Sequence, residues 1–383
     1  MKEIKQIIHA FDVARSKGQK TALVTVVHVE GSSYRGPGAR MLITDEGMLT
    51  GAISGGCLEG DALRKALMVM MEGKPLLTIY DTSDEEDAVI GVGLGCNGII
   101  KVLIEPIVED DENNPIALLK ATIENREPSV LVTFFNLETK RSQQQGTRLL
   151  VKKNFTLATE RLPLPMARIE QDVEIAFNQQ TSAFVRYDHK TSVKSITAFI
   201  EYMAPAISLV VAGAGNDVLP LVQMAEVLGW DVTLIDGRPR YANEQRFPNC
   251  QLIVSEPEKA LKQISIDGKT AFVLMTHNYN YDKSILRVLF KLPVNYIGIL
   301  GPKKKLKRML DELTVDGFEL TDRGLSNIHS PVGLNIGAET SEEIALSILA
   351  EIKAVFHKKN GEHLRDAKGN IHERSTAIMV TSI

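Results

Sequence analysis

Two of the three cysteines in this 383-residue chain stand in glycine-rich turns. Cys57 follows Ser54-Gly55-Gly56, and Cys96 follows Gly93-Leu94-Gly95. A thiol with a pKa of about 8.5 is only a few per cent thiolate at neutral pH, and a helix amino terminus lowers that value. Apolar residues recur at helical spacing from Leu58 to Met71, which puts Cys57 at a helix start. Gly55 and Gly56 let the backbone close around a ligand there, and Glu59 lies two residues on. Cys57 and Cys96 are therefore candidates to bind a metal or carry sulfur. If their turns converge, they form one sulfur-lined pocket, with Arg35 and Arg40 supplying positive charge. The plain alternative is that each thiol is a small buried hydrophobe. Cys250 has no such setting and is expected to be inert. With no C-x-x-C pair and no closely spaced His/Cys set, a structural zinc site is not expected.

A second chemistry lies much further along. Gly213-Ala214-Gly215 follows the apolar run Val210-Val211-Ala212 and opens a helix, the context a phosphate-binding turn requires. The first glycine permits the tight turn, and the second lets amides and the helix dipole approach a phosphate. Val218 replaces the third glycine of the dinucleotide fingerprint, which pushes helix and strand apart and weakens the expectation of ordinary NAD binding. Asp236 ends the next strand about 20 residues on, where a carboxylate receives ribose hydroxyls, and Arg238 could pair with a phosphate instead. Gly301-Pro302-Lys303-Lys304-Lys305 joins a strand end to a basic helix start, so Lys303 to Lys305 either neutralise phosphate or form a solvated face. His277, with Asn278 and Asp282, follows the strand at 271–275; it reads as a ligand contact or as an ordinary strand cap.

The elements that position these residues follow from periodicity. Ile4, Ile7, Ile8 and Phe11 share one face of a helix over 2–17, and 21–29 is a β-branched strand. Strands are expected at 41–44, 48–53, 76–80 and 99–105, with Asp45-Glu46-Gly47 as a hairpin turn. The acidic stretch before Pro115 reads as a linker or surface loop. Between it and Pro205, helices (116–126, 166–179) mix with strands (129–136, 147–152, 182–187), and no interpretable motif occurs. After Pro205 strands and helices alternate, which implies a parallel sheet with crossover helices. The expected fold class is α/β. An amino-terminal mixed α/β domain covers 1–108, a middle α/β region covers 109–204 as a part of the first domain or apart from it, and a Rossmann-like parallel-sheet domain covers 205–383. The charged tail after Phe356 is expected to be disordered.

At 44% hydrophobic content the chain can bury more than one core. A net charge of −4 with mixed signs argues against a nucleic-acid binder. Three scattered cysteines fit a reducing cytoplasm, and no apolar run approaches the length that spans a bilayer.

Several ordered motifs together resemble the xanthine dehydrogenase accessory protein family, XdhC/CoxI. They are Gly31-Ser32-Ser33-Tyr34-Arg35 with Pro37-Gly38-Ala39, Ser54-Gly55-Gly56-Cys57-Leu58-Glu59, Gly93-Leu94-Gly95-Cys96, Gly213-Ala214-Gly215, Met275-Thr276-His277, Tyr296-Ile297-Gly298-Ile299-Leu300-Gly301, and Ile328-His329-Ser330-Pro331-Val332-Gly333-Leu334 with the helix that follows. Residues from about 110 to 200 match poorly. The resemblance implies a cytosolic, dimeric chaperone that binds molybdenum cofactor (molybdopterin), protects it during sulfuration and delivers it to a molybdenum hydroxylase such as xanthine dehydrogenase. A cysteine desulfurase-type sulfur donor is a further expected partner. The implied cofactor contacts are Arg35, Gly55, Gly56, Cys57, Glu59, Cys96, Gly213, Gly215, Asp236, Arg238, His277, Gly301 and Lys303, with Cys57 and Cys96 on the metal. The competing reading of the same turn is an NAD(P)-dependent oxidoreductase, or a protein that only senses a nucleotide.

Overall fold

The structure is a computed structural model that describes residues 1–82, 98–108, 111–112, 114–139, 144–158, 162–188, 195–366 and 378–382. Cys96 and its turn lie outside the described residues. Two compact units divide the chain at Pro205 and Ala206. Among the described residues no helix is long and apolar enough to cross a membrane.

The first unit starts with helix α1 (Lys2–Ser16), whose Ile4, Ile7, Ile8, Phe11 and Ala14 form the buried stripe expected of an amphipathic helix. It continues through β1 (Thr21–Gly31), β2 (Arg40–Thr44), β3 (Leu49–Gly51), α2 (Glu59–Glu72), β4 (Leu76–Asp81) and β5 (Gly98–Pro106). The antiparallel sheet they form has the order β3-β2-β1-β5-β4. Next come α3 (Pro115–Glu124), β6 (Ser129–Phe135), β7 (Gly146–Lys152), β8 (Phe155–Ala158), α4 (Met166–Gln179), β9 (Ala183–Asp188) and β10 (Ser195–Met203), which build a second sheet in the order β9-β10-β6-β7-β8. The acidic stretch read as a linker ends in a helix cap: the Asn114 side chain accepts from the Ile116 and Ala117 amides ahead of Pro115 at the first turn of α3.

β1 is buried along 21–29, polar Thr25 and His28 included, because both its faces are covered. Ala22, Val24 and Val26 pack with Ala62, Ala66 and Val69 of α2, whereas Leu23 meets α1 and α3, and Val27 meets Phe135, Phe184 and Phe199 of the second sheet. The outer face of the second sheet carries α4 through Ile169, Val173 and Ala176.

The second unit contains β11 (Ser208–Ala212), α5 (Val218–Val227), β12 (Asp231–Asp236), β13 (Gln251–Val254), α6 (Pro257–Leu261), β14 (Thr270–Leu274), α7 (Tyr279–Leu289), β15 (Tyr296–Ile299), α8 (Lys303–Val315), α9 (Asp322–Ser326), β16 (Ile328–His329) and α10 (Ser341–Phe356). All neighbours in its sheet are parallel, in the order β13-β12-β11-β14-β15-β16. This is the doubly wound 3-2-1-4-5-6 arrangement, and its strand order reverses between β11 and β14. One face packs against α5 and α10, the other against α6, α7 and α8. Val218 is fully buried in the first of these layers.

Part of the tail departs from the expectation of disorder, while residues 367–377 and 383 lie outside the described residues. Its last described segment, β17 (Ile378–Ser382), lies parallel to β9 and extends the second sheet of the first unit, Ile378 opposite Phe184. Strand formation there follows from its β-branched and apolar content and from the open edge of β9.

Candidate functional site

In the first unit, Ser54 organises the Cys57 turn. Its hydroxyl donates to Glu59 Oε2 and accepts from the amides of Gly56 and Leu58, each at 3.1 Å. Glu59 Oε1 accepts from the Ser54 and Ile53 amides at 2.8 and 3.2 Å. Burial pushes the Glu59 carboxyl up, but hydrogen bonds from the Ser54 side chain and from backbone amides outweigh it, so the carboxyl stays below its ordinary value. Glu59 therefore folds the turn from within, its carboxylate occupied by protein donors.

Cys57 sits one residue ahead of Leu58, the amino-terminal cap of α2, and its Sγ lies 3.4 Å from Ser54 Oγ. The thiol is partly exposed. Above Gly56 the space is open to 4 Å, whereas the Tyr34 ring stands 3.8 Å from the position of a Cβ on Gly55. Arg35, expected as a free cation, is held by Glu3 through Nη2 at 2.6 and 2.8 Å. Arg40 is fully buried against Glu201. Among the described residues no group of three or more His, Cys, Asp or Glu side chains could hold a metal ion.

Cys250 differs in setting. Burial, with a smaller contribution from Glu226, pushes its thiol up to about 12. At neutral pH it stays protonated, and the thiolate is the nucleophile. Iodoacetamide at neutral pH is expected to label Cys57 and leave Cys250 unmodified, as read by peptide mass mapping of the native protein. Equal labelling of the two would contradict this contrast.

The second unit brings Gly213, Gly215, Asp236, Arg238 and His277 to the carboxyl edge of the sheet around its switch point, where ligands of open α/β sheets bind. The Gly213 amide donates to the Ile235 carbonyl at 2.8 Å. Asp236 is almost wholly buried, and both its oxygens are taken: Oδ2 accepts from the Ala214 amide and Arg238 Nη2 at 2.9 Å each, Oδ1 from the Arg238 amide and Nε at 2.8 and 3.0 Å. Burial raises this carboxyl, but the Arg238 hydrogen bonds and charge and the Ala214 amide together hold it below the usual value. The carboxylate placed by spacing as a ribose acceptor thus braces the glycine turn. Arg238 is clamped on Asp236 and lies over the Tyr241 ring, 4.3 Å from its centroid.

Two contributors, Arg246 and Asp217, escaped sequence reading, and Asp282 was placed at this edge without a role. Arg246 reaches back to the glycine turn, donating through Nη1 to the Ala214 carbonyl at 2.6 Å and through Nη2 to Asn216 Oδ1 at 2.9 Å. Asp217, at the cap position of α5, lies 2.8 Å through Oδ2 from His277 Nε2. Asp282, fully buried, accepts from the Thr276 hydroxyl at 2.6 Å and from Lys305 Nζ at 2.7 Å. The basic helix start thus divides. Lys303 is exposed on the ligand-bearing edge after Gly301, whereas Lys305 is tied to Asp282 and to the Leu300 carbonyl at 2.9 Å. Further out, Glu351 of α10 accepts from the Tyr296 hydroxyl at 2.6 Å and the Gly333 amide at 3.0 Å, and His329 stacks on Tyr296. That cluster anchors α10 to the sheet.

Comparison with known proteins adds to this geometry. Residues 14–81 match the XdhC and CoxI family, and residues 209–352 match the XdhC Rossmann domain. A probable xanthine dehydrogenase subunit from Bacillus subtilis is 32% identical over 335 residues, 87% of this chain and 92% of that protein. The molybdenum cofactor insertion chaperone PaoD of Escherichia coli is 22% identical over 343 residues, 89% of this chain and 85% of that protein. A crystal structure of a xanthine dehydrogenase from Bacillus halodurans superimposes with a TM-score of 0.72 at 29% identity, covering 93% of this chain and 97% of the other.

Proposed function

This chain belongs to the XdhC and CoxI family, and from that premise we propose that it is an accessory protein and not a catalyst, taking a molybdenum cofactor as cargo and handing it to a xanthine dehydrogenase-type molybdenum hydroxylase. The naming of one relative as a molybdenum cofactor insertion chaperone supports this reading. The observation that carries it is the crevice of the second unit. There a glycine turn offers amides and a helix amino terminus to an anion, while the carboxylate that would receive a dinucleotide's ribose is already saturated by Arg238 and Ala214. This suits a phosphate-bearing guest and takes away the main support of an NAD(P)-dependent oxidoreductase.

In the first unit, the Cys57 turn presents a partly exposed thiol beside open space with the exposed Tyr34 ring close by, a soft donor suited to a metal centre. On the same reading the cargo's terminal sulfur is installed while it is held, with sulfur from a cysteine desulfurase-type donor, and the protein works as a cytoplasmic homodimer.

The test is to purify the protein from molybdate-fed cells and to quantify bound molybdenum and pterin. The wild-type protein is expected to carry both, Cys57→Ser to lose most of the molybdenum, and Cys250→Ser to match wild type. A wild-type protein that carries neither, and instead binds NADH at micromolar concentration, would overturn the proposal.

A further inference from the structure

The second glycine of a phosphate turn lacks a side chain so that an anion can approach the backbone. In this structure that space holds an anion of the protein's own. A Cβ on Gly215 would lie 2.3 Å from Asp217 Oδ1, and the other oxygen of the same carboxylate is 2.8 Å from His277 Nε2. The carboxylate makes no capping hydrogen bond to the amides of α5, although Asp217 occupies the cap position. It therefore lies across the glycine turn and is held from the opposite side of the switch point by His277, which takes a left-handed backbone (φ 56°) at the end of β14.

Resting on the reading of this crevice as the phosphate end of the cargo site, we infer that the Asp217 carboxylate is a built-in competitor for that phosphate. An incoming phosphate or pyrophosphate group displaces it from Gly215 and takes over His277 as its partner. The arrangement discriminates by charge and geometry. A single carboxylate or halide exchanges like for like with Asp217 and gains little. A phosphate ester brings more negative charge and more acceptor oxygens, enough to engage His277 and the turn's amides at once. Asp217 thus sets a threshold that excludes weak anions from an open crevice, and His277 is the group transferred between the two.

Calorimetric titration of the full-length protein with inorganic pyrophosphate tests this. Asn and Ser both serve as helix caps, so Asp217→Asn and Asp217→Ser preserve the start of α5 while removing the charge. Each is expected to bind pyrophosphate about tenfold more tightly than wild type, as expected when a like charge next to the site is removed, and His277→Gln about tenfold more weakly. Equal or weaker binding by both Asp217 variants, with wild type binding measurably, would overturn the inference and leave the crevice reading intact. Absence of pyrophosphate binding by every protein in the set would overturn both.

Discussion

Gly213→Ala is expected to destabilise the second unit by about 3 kcal/mol or more and to abolish cargo retention. Two independent costs meet at this position. Its φ of 120° lies where L side chains are strained by roughly 1–3 kcal/mol, and an added Cβ would stand 2.5 Å from the Met275 carbonyl oxygen and 2.8 Å from its carbon. Those atoms are backbone at the end of β14, and Met275 donates in turn to the Ala212 carbonyl at 2.9 Å. The clash is relieved only by parting the two central strands of the sheet, and close-packed interiors resist such shifts. Gly215→Ala makes a useful contrast, because its Cβ would meet only the flexible end of Asp217. That variant is expected to keep the wild-type unfolding profile while losing affinity for pyrophosphate. Thermal unfolding followed by calorimetry, together with the pyrophosphate titration, separates the two. A Gly213→Ala protein with an unchanged transition would show that the strand ends are looser than their contacts imply.

The two glycines were legible as a turn from their place between an apolar strand and a helix, and so was Asp236 from its distance along the chain. What each does was not. Spacing marks Asp236 as a ribose acceptor, but Arg238 follows it in the same turn and the Ala214 amide lies opposite, so the carboxylate is consumed locally. Pairs made across the sheet edge leave no periodic trace: Arg246 meets Ala214 across 32 residues and His277 meets Asp217 across 60. The strands that escaped notice are short, edge-placed or mixed in pattern. β16 has two residues, β8 four, and β10 interleaves Thr197 and Glu201 with Phe199 and Ile200 because Glu201 serves a buried ion pair. β17 lies beyond a charged stretch, and its partner β9 is far away in sequence. Local signals marked elements well where hydrophobic periodicity was clean, as in α1, β1 and the central strands β11, β12, β14 and β15 of the second unit.

That ion pair leads to the other large effect, in the first unit. Arg40 is 1% exposed, donates to the Gly38 carbonyl at 2.9 Å and meets the Glu201 carboxylate through both terminal nitrogens. Burial alone would pull the guanidinium down, but Glu201 more than restores it, so Arg40 stays charged. Nearby Glu105, buried, is raised by desolvation despite the Thr147 amide and hydroxyl at 2.7 and 3.0 Å. Arg40→Met leaves the largely buried Glu201 carboxylate without its cation and is expected to cost about 3–5 kcal/mol, lowering the melting temperature of the first unit by roughly 10 °C. The reciprocal Glu201→Leu is expected to cost a similar amount. The double variant should recover most of the loss, because an apolar pair of similar volume replaces a buried ion pair at little net cost. A double variant as unstable as the sum of the singles would show that the two side chains act separately. The loss also reaches the thiol. Arg40 anchors the end of the loop that carries Tyr34 beside Gly55, and Glu3 holds the same loop through Arg35 and the Arg40 amide. Arg40→Met is therefore expected to speed iodoacetamide labelling of Cys57 severalfold in the folded protein, whereas the double variant returns it toward the wild-type rate.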